Sequence, residues 1–241
     1  MSAPTSAPSE ADHWTGEAAR MARAAARGDA RAVAAARAAG ADPNAVSRQG
    51  MPMLLWPVTH GCLPGFEALL AEGADPNAAY ASDTRRGVVG DLLAKQEDAA
   101  FLKAALGAGL DPDGRAPGTD GVLWSAILAG NWPAVQALIE AGADADTPDH
   151  EGGWYTPLAF YSTGAFDKVV WLLEHGADAG VTAERRTKDG TVRVRPVLED
   201  IFYYRIDAER FPDLAAAQRR AQSIVQNQGH RPPPRPNRYP V

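Results

Sequence analysis

Histidine, cysteine and carboxylate side chains lie close together in sequence at two places where they could do chemistry. His60 and Cys62 could supply a base and a nucleophile, and the consecutive residues Asp149, His150 and Glu151 could bind a metal ion. Three adjacent turn residues rarely point at one ion, and no group is evident that would orient His60 toward Cys62. We therefore expect no catalytic residues, no cofactor and no metal site. A metal-binding protein or enzyme that uses these groups is the alternative.

Aspartate also recurs in a regular pattern. The phrase Gly-Ala-Asp-Pro-Asn occurs at residues 40–44 and 73–77, and related phrases begin at Gly109, Gly142 and Gly176. Their glycines follow one another at intervals of 33, 36, 33 and 34 residues, which is typical of repeat proteins whose units pack on their neighbours. Aspartate in such a turn can accept hydrogen bonds from backbone N–H groups. We predict that these aspartates are structural rather than catalytic.

The last of these five repeats illustrates the elements of one unit. Thr156 can cap a helix whose first position is Pro157, and Gly164 closes that helix. A second helix, from about residue 167 to residue 175, has apolar residues at three- and four-residue spacing. Gly176 suits the left-handed position that ends a helix. Each unit is therefore predicted to be a helix-turn-helix.

These units resemble the ankyrin repeat, which has a turn, a helix opened by Thr-Pro-Leu-His, a second helix rich in Val and Leu, and a Gly-Ala-Asp-Val-Asn loop. Thr156-Pro157-Leu158 keeps the helix opening, with Ala159 in place of the histidine. The resemblance covers roughly residues 15–180. It implies an all-α fold, an ankyrin-repeat solenoid of helix-turn-helix units joined by short hairpin turns.

The repeat spacing also predicts the organisation of the chain. Residues 1–14 form a disordered leader, and five repeats occupy residues 15–46, 47–79, 80–115, 116–148 and 149–180. The third repeat exceeds the 33-residue period by three residues, which we place in the polar turn 82–86. Residues 181–228 form a divergent capping repeat with a basic hairpin, and residues 229–241 form a Pro-rich, disordered tail.

Composition restricts location and partner. The formal net charge of −6 argues against general nucleic-acid binding, and the single cysteine, Cys62, agrees with a reducing compartment. Apolar runs end before the roughly 18 residues of a membrane helix, and the first ten residues do not resemble a secretory signal. We predict a cytoplasmic protein that is monomeric on its own. Its many Ala and Arg residues suggest a GC-rich bacterial genome.

The resemblance implies a concave face lined by hairpin tips and first helices. Aromatic residues bury large areas at low entropic cost, and charged residues select a partner, so we predict that such residues on this face bind another protein. The predicted contact residues are Arg48, Trp56, Arg85, Arg86, Asp120, Trp124, His150, Glu151, Trp154 and Tyr155. Trp171, inside a Val-Val-Trp-Leu-Leu run, is predicted to belong to the core.

Two C-terminal segments carry further possibilities. Five basic residues cluster in the hairpin and could meet an acidic partner or a nucleic-acid backbone, although an ordinary solvated hairpin is the simpler interpretation; they are Arg185, Arg186, Lys188, Arg193 and Arg195. Pro233 and Pro236 have the Pro-x-x-Pro spacing that some binding domains recognise. The sequence favours a non-enzymatic protein-protein interaction module, an inhibitor, immunity protein or regulatory adaptor. A host-directed bacterial effector or scaffold is the alternative.

Overall fold

The computed structural model describes residues 13–81, 86–149, 155–186 and 192–236. Helices dominate its regular structure, and the strands of the described residues form two short antiparallel hairpins. The chain divides into two compact units, Met1–Ala141 and Gly142–Val241. Within the described ranges, no helix is long and apolar enough to cross a membrane.

Helices stack in two rows in the first unit. Its described helices are α1 (Gly16–Ala26), α2 (Ala30–Ala38), α3 (Trp56–Thr59), α4 (Leu63–Ala71), α5 (Val89–Leu93), α6 (Ala100–Gly107), α7 (Gly121–Leu128) and α8 (Trp132–Glu140). A 3₁₀ helix, Met53–Leu55, leads directly into α3 and begins the first helix of the second repeat. The second helices of successive repeats pack α2 on α4, α4 on α6 and α6 on α8, while the first helices pack α1 on α3 and α5 on α7. Strands β1 (Ala79–Ala81) and β2 (Arg86–Val88) precede α5.

The second unit repeats this arrangement at its C-terminal end. Its described elements are α9 (Pro157–Tyr161), α10 (Phe166–Glu174), β3 (Thr182–Arg186), β4 (Val192–Pro196), α11 (Val197–Tyr203) and α12 (Pro212–Asn227). The two strands pair antiparallel, from Thr182 opposite Pro196 to Arg186 opposite Val192. Helix α12 packs on α10 as well as on α11, so it occupies the place of the next second helix in the stack.

Local signals set the helix boundaries of the fifth repeat as predicted. The Thr156 hydroxyl accepts a hydrogen bond from the Ala159 N–H at 3.3 Å, and Pro157 takes the first position of α9. Helix α10 then buries one face, which consists of Phe166, Val169, Val170, Leu172 and Leu173. That buried face fixes α10 against the rest of the unit.

The recurring aspartates close the turns between repeats. Each of the five glycines that begin the repeated phrase has a positive φ, between 89° and 101°, which only glycine adopts readily. In each turn the aspartate accepts the N–H of the residue two positions later, at 2.7–3.0 Å. The structural role predicted for these aspartates is therefore confirmed.

Asparagine side chains join one turn to the next. Asn44 donates to the Gly73 carbonyl at 3.0 Å and accepts the Asp75 N–H at 2.7 Å. In the second unit Asp146 stands at the matching position and accepts the Asp178 N–H at 3.1 Å. An ionised carboxylate has no donor, so it cannot make the second bond of the asparagine.

The N-terminal boundary differs from the prediction. His13 and Trp14, which we placed in the leader, are buried. Their rings lie 4.9 and 5.2 Å from the ring of Trp56. The first repeat has mostly alanine side chains to bury, so these aromatic rings supply the apolar volume that its helices lack.

Candidate functional site

The hairpins of different repeats share one closing hydrogen bond but differ in length. The donor is a backbone N–H at the beginning of the first helix of a repeat, and the acceptor is the carbonyl of the residue five positions after the turn glycine. The donor and acceptor pairs are Met53 to Ala45, Val89 to Ala78, Val122 to Gly114 and Val197 to Val181. Donor and acceptor are eight residues apart in the first and third of these pairs, eleven in the second and sixteen in the fourth. The repeats therefore differ most at their hairpins.

The three extra residues of the third repeat enter its hairpin. Val46 bridges Pro52 in the second repeat, with five residues between them, whereas eight separate the equivalent pair Ala79 and Val88. The rest of the repeat keeps its usual length. Insertions in repeat proteins often map to the binding face.

Charged residues predicted at hairpin tips are exposed where the structure describes them. Arg48, Arg86 and Asp120 are exposed. Arg85, His150, Glu151 and Trp154 lie outside the described residues. Tyr155 is half-buried at the base of its hairpin, where its carbonyl accepts the Asp149 N–H at 2.9 Å.

Two tryptophans predicted to contact a partner lie in the core instead. Trp56 is 3% exposed and Trp124 is 2% exposed. Trp56 is covered by His13 and Trp14, and Trp124 lies in α7, whose residues Gly121 to Ile127 are all buried. Both rings are therefore part of the hydrophobic core and have almost no exposed surface for a partner.

Trp171 shows the opposite difference. It was predicted to belong to the core, but it is only half-buried, and it stacks on His175 at 3.7 Å between ring centroids. The Trp171 carbonyl also lies 2.7 Å from Nδ1 of His175. Trp171 lies near the C-terminal end of α10 and His175 directly follows that helix, so the two rings lie at the edge of its buried face.

An open cleft of about 540 Å³ lies in the second unit. Residues 159–161 of α9 form one side, and Tyr155, residues 163–165 and Arg195 complete the lining. The Phe160 side chain is 40% exposed. An aromatic ring in an open cleft is the arrangement expected of a binding anchor.

Tyr161 contributes a hydroxyl that stays protonated at neutral pH. Burial raises its pKa to about 12, and the Asp167 carboxylate acts in the same direction. The Lys168 ammonium lies 4.8 Å from the centre of its ring. Tyr161 is therefore poorly suited to act as a general base.

Arg195 is held in the cleft wall by a buried carboxylate. Its Nε lies 2.8 Å from Oδ2 of Asp200, which is fully buried and also accepts the Ser162 hydroxyl at 3.3 Å. Arg195 Nη2 is buried and has no hydrogen-bond partner among the described residues. This member of the basic cluster is thus fixed by an internal ion pair, which sequence spacing did not indicate.

The groups singled out for catalysis or metal binding do not assemble within the described part of the chain. No three His, Cys, Asp or Glu side chains there are placed to hold a metal ion. Nδ1 of His60 lies 3.0 Å from the Trp56 carbonyl oxygen, and Cys62 is half-buried. His150 and Glu151 are outside the described residues.

The start of the Pro-rich tail is ordered, contrary to the prediction of a disordered end. The Tyr203 hydroxyl donates to the Pro233 carbonyl at 2.6 Å, and the Arg235 guanidinium lies 5.2 Å from the centre of the Tyr203 ring. Gly229, with φ 94°, ends α12 and turns the chain. Pro-rich segments bind to aromatic surfaces, and Tyr203 of α11 in the same unit supplies that surface here.

Comparisons with known proteins identify the fold. No protein-family model matches the chain, and no curated protein matches it. The ankyrin repeat domain of Bcl-3, a unique member of the IkappaB protein family, is 20% identical over 84% of this chain and 85% of that one, with a TM-score of 0.60. An ankyrin repeat domain from Acinetobacter baumannii AYE is 19% identical over 88% and 98% of the two chains, with a TM-score of 0.59. The chain has the ankyrin-repeat fold, as predicted.

Proposed function

We propose that this chain is a non-enzymatic protein-protein interaction module. It binds a partner protein through its first helices and hairpin tips, and the cleft beside Phe160 forms the centre of the contact in the second unit. The role we favour is an inhibitor, immunity protein or regulatory adaptor in the cytoplasm of a bacterium. A host-directed effector or a scaffold is the alternative within the same class.

One observation carries this proposal: an exposed Phe160 lies in an open cleft whose other walls include Tyr155 and Arg195. Interface hot spots are enriched in aromatic residues and arginine, and they lie in pockets that exclude water once occupied. The unequal hairpins support the proposal, because a scaffold needs variable segments to discriminate between partners.

Affinity capture with the full chain tests the proposal. The tagged protein and its Tyr155→Ala/Phe160→Ala variant are used to capture proteins from the native host, and the captured proteins are compared by mass spectrometry. Phe211→Ala is the matched control, because Phe211 is 45% exposed and does not line the cleft. We expect the double variant to lose a partner that the wild type and the control both retain.

The competing class of function has a direct test of its own. If the purified protein contains stoichiometric zinc or iron that His150→Ala removes, the pure binding proposal fails. Equal capture of every partner by the double variant would show instead that the cleft is the wrong surface.

A further inference from the structure

Trp56 lies beneath two residues that precede the first helix of the chain. The rings of His13 and Trp14 lie 4.9 and 5.2 Å from its ring, between centroids, and we call these two residues the lid. The Trp56 ring also lies 4.6 Å from the ring of His60, which is exposed. Trp56 is therefore close to the protein surface, and the lid covers it.

The lid also contacts the tip of a hairpin. Arg48 is exposed in the hairpin of the second repeat, and its backbone N–H donates to the His13 carbonyl at 3.4 Å. Arg48 and Trp56 are both residues for which the sequence predicts contact with a partner. The lid thus lies on the surface of hairpin tips and first helices through which the chain is proposed to bind.

Few polar interactions hold the lid closed. Among the described residues, the bond from Arg48 is the one hydrogen bond between the lid and the second repeat, and its length is at the limit for such bonds. Three nitrogens of this contact are buried without a hydrogen-bond partner in the described part of the chain, namely Nδ1 of His13 and Nε1 of Trp14 and Trp56. Burial of an unpartnered polar atom costs free energy. This cost opposes the aromatic packing that closes the lid.

A glycine joins the lid to α1. Gly16, the first residue of α1, has φ 60°, and both Gly16 and Thr15 are exposed. Thr15 stands at the cap position but its side chain makes no capping hydrogen bond. A Cβ on Gly16 would meet no atom within 4 Å. The backbone at Gly16 can therefore rotate without meeting a packed neighbour, as a hinge requires.

We infer that the lid opens about Gly16 while the stacked helices stay folded, and that this opening exposes Trp56 on the binding surface. The closed lid is then an autoinhibitory contact, and the open form presents a cryptic aromatic site. The use of the exposed ring by a partner rests on the proposed function. The opening is a property of the free chain and can be measured without a partner.

Hydrogen exchange at the indole N–H of Trp56 tests the inference on the full chain. This N–H is buried in the closed form, so its protection factor, measured by NMR, reports opening. We expect a protection factor at least about tenfold lower than that of the Leu69 amide, which belongs to a fully buried residue of α4. Equal protection factors would overturn the inference, because Trp56 would then be exposed only when the repeats unfold.

Two variants should move this exchange in opposite directions. Gly16→Ala penalises the positive φ of the closed form and should speed exchange at Trp56 about tenfold. Gly73→Ala is the matched control, because it introduces the same kind of strain, at φ 89°, in a turn that does not contact the lid hinge. It should leave exchange at Trp56 unchanged. His13→Phe keeps an aromatic ring and removes one unpartnered nitrogen, so it should slow exchange about fivefold.

Contrary outcomes separate this inference from the proposed function. Equal exchange at Trp56 in the wild type, Gly16→Ala and Gly73→Ala would overturn the hinge, and exchange as fast as that of free tryptophan would show that the lid does not close. Either result leaves the capture experiment on the cleft beside Phe160 as it stands. Failure of that capture experiment, in turn, would not change the exchange rates of the free chain. If Gly16→Ala does not fold, the wild type and His13→Phe decide the question.

Discussion

The side-chain nitrogen of Asn77 lies 2.9 Å from the carbonyl oxygen of Gly109 in the following turn. The Asn77 side-chain oxygen also accepts the Asp111 N–H at 2.7 Å, so one side chain satisfies a donor and an acceptor of its neighbour. Asp146 stands at the equivalent position of the second unit and can only accept when it is ionised. Asn77 therefore joins its turn to the next one through both a donor and an acceptor, whereas ionised Asp146 does so through an acceptor alone.

Asp146→Asn should stabilise the protein. The amide would keep the bond from the Asp178 N–H and add a donor for the Gly176 carbonyl, which we expect to raise the free energy of unfolding by about 1 kcal/mol. Urea denaturation measures the change. The reverse substitution, Asn77→Asp, is the matched control and should destabilise by a similar amount. A loss of stability in Asp146→Asn would contradict this account of the turns.

The same substitution should change the pH dependence of stability. Burial raises the pKa of Asp146; the Asp178 N–H bond opposes this rise, and the Asp144 and Asp178 carboxylates add to it. The folded protein thus holds the proton more tightly than the unfolded chain. Asp146 therefore makes the free energy of unfolding fall as pH rises from the ordinary value of about 3.9 through the raised value.

The asparagine of Asp146→Asn does not titrate, so the free energy of unfolding of this variant does not include the fall with rising pH that Asp146 causes in the wild type. The advantage of Asp146→Asn over the wild type should grow from about pH 3 to about pH 7, as urea denaturation at several pH values would show. Burial also raises the pKa of Asp91, but Asp91 is present in both proteins and cancels in the comparison. A constant advantage across this range would contradict the assignment.

Gly65→Ala should destabilise the first unit although alanine is the better helix former. Gly65 lies in α4, and a Cβ there would overlap the backbone carbonyl of Ala25 in α1. We expect a loss of about 1–3 kcal/mol from forced separation of the two helices. Gly107→Ala in α6 is the control, since a Cβ there meets no atom within 4 Å. Thermal unfolding should show Gly107→Ala unchanged or slightly stabilised.

Tyr203→Ala should release the beginning of the Pro-rich tail. The substitution removes both the hydroxyl that binds the Pro233 carbonyl and the ring beneath Arg235. Backbone ¹⁵N relaxation at Arg235 reports the change, with an order parameter that we expect to fall below about 0.6. Tyr203→Phe keeps the ring and should show a smaller decrease. An Arg235 amide equally ordered in all three proteins would mean that other contacts hold the tail.

Local signals made part of the fold predictable from sequence. The Thr156 cap, the Gly176 turn and the Asp178 hydrogen bond each depend on residues within a few positions of one another. Their geometry follows from short-range physical chemistry. Repetition of these signals at a nearly constant period then indicated the stacked architecture.

The candidate site depended on contacts distant in sequence. Trp124 and Phe160 both lie in first helices, yet Trp124 is 2% exposed and Phe160 is 40% exposed. Nothing adjacent to either residue distinguishes them, because exposure depends on which neighbouring repeat covers the ring. The ion pair between Arg195 and Asp200 and the Tyr203 contact with Pro233 likewise require the folded chain.

The closing hydrogen bond of the hairpins spans eight residues at Ala45, eleven at Ala78 and sixteen at Val181. Loop length adds only slowly to the entropy cost of closure, so a hairpin can lengthen while the helices behind it keep their packing. Specificity could thus be engineered or evolved one loop at a time. A segment grafted between Arg186 and Val192 would lengthen this hairpin and leave the ion pair between Arg195 and the buried Asp200 in place.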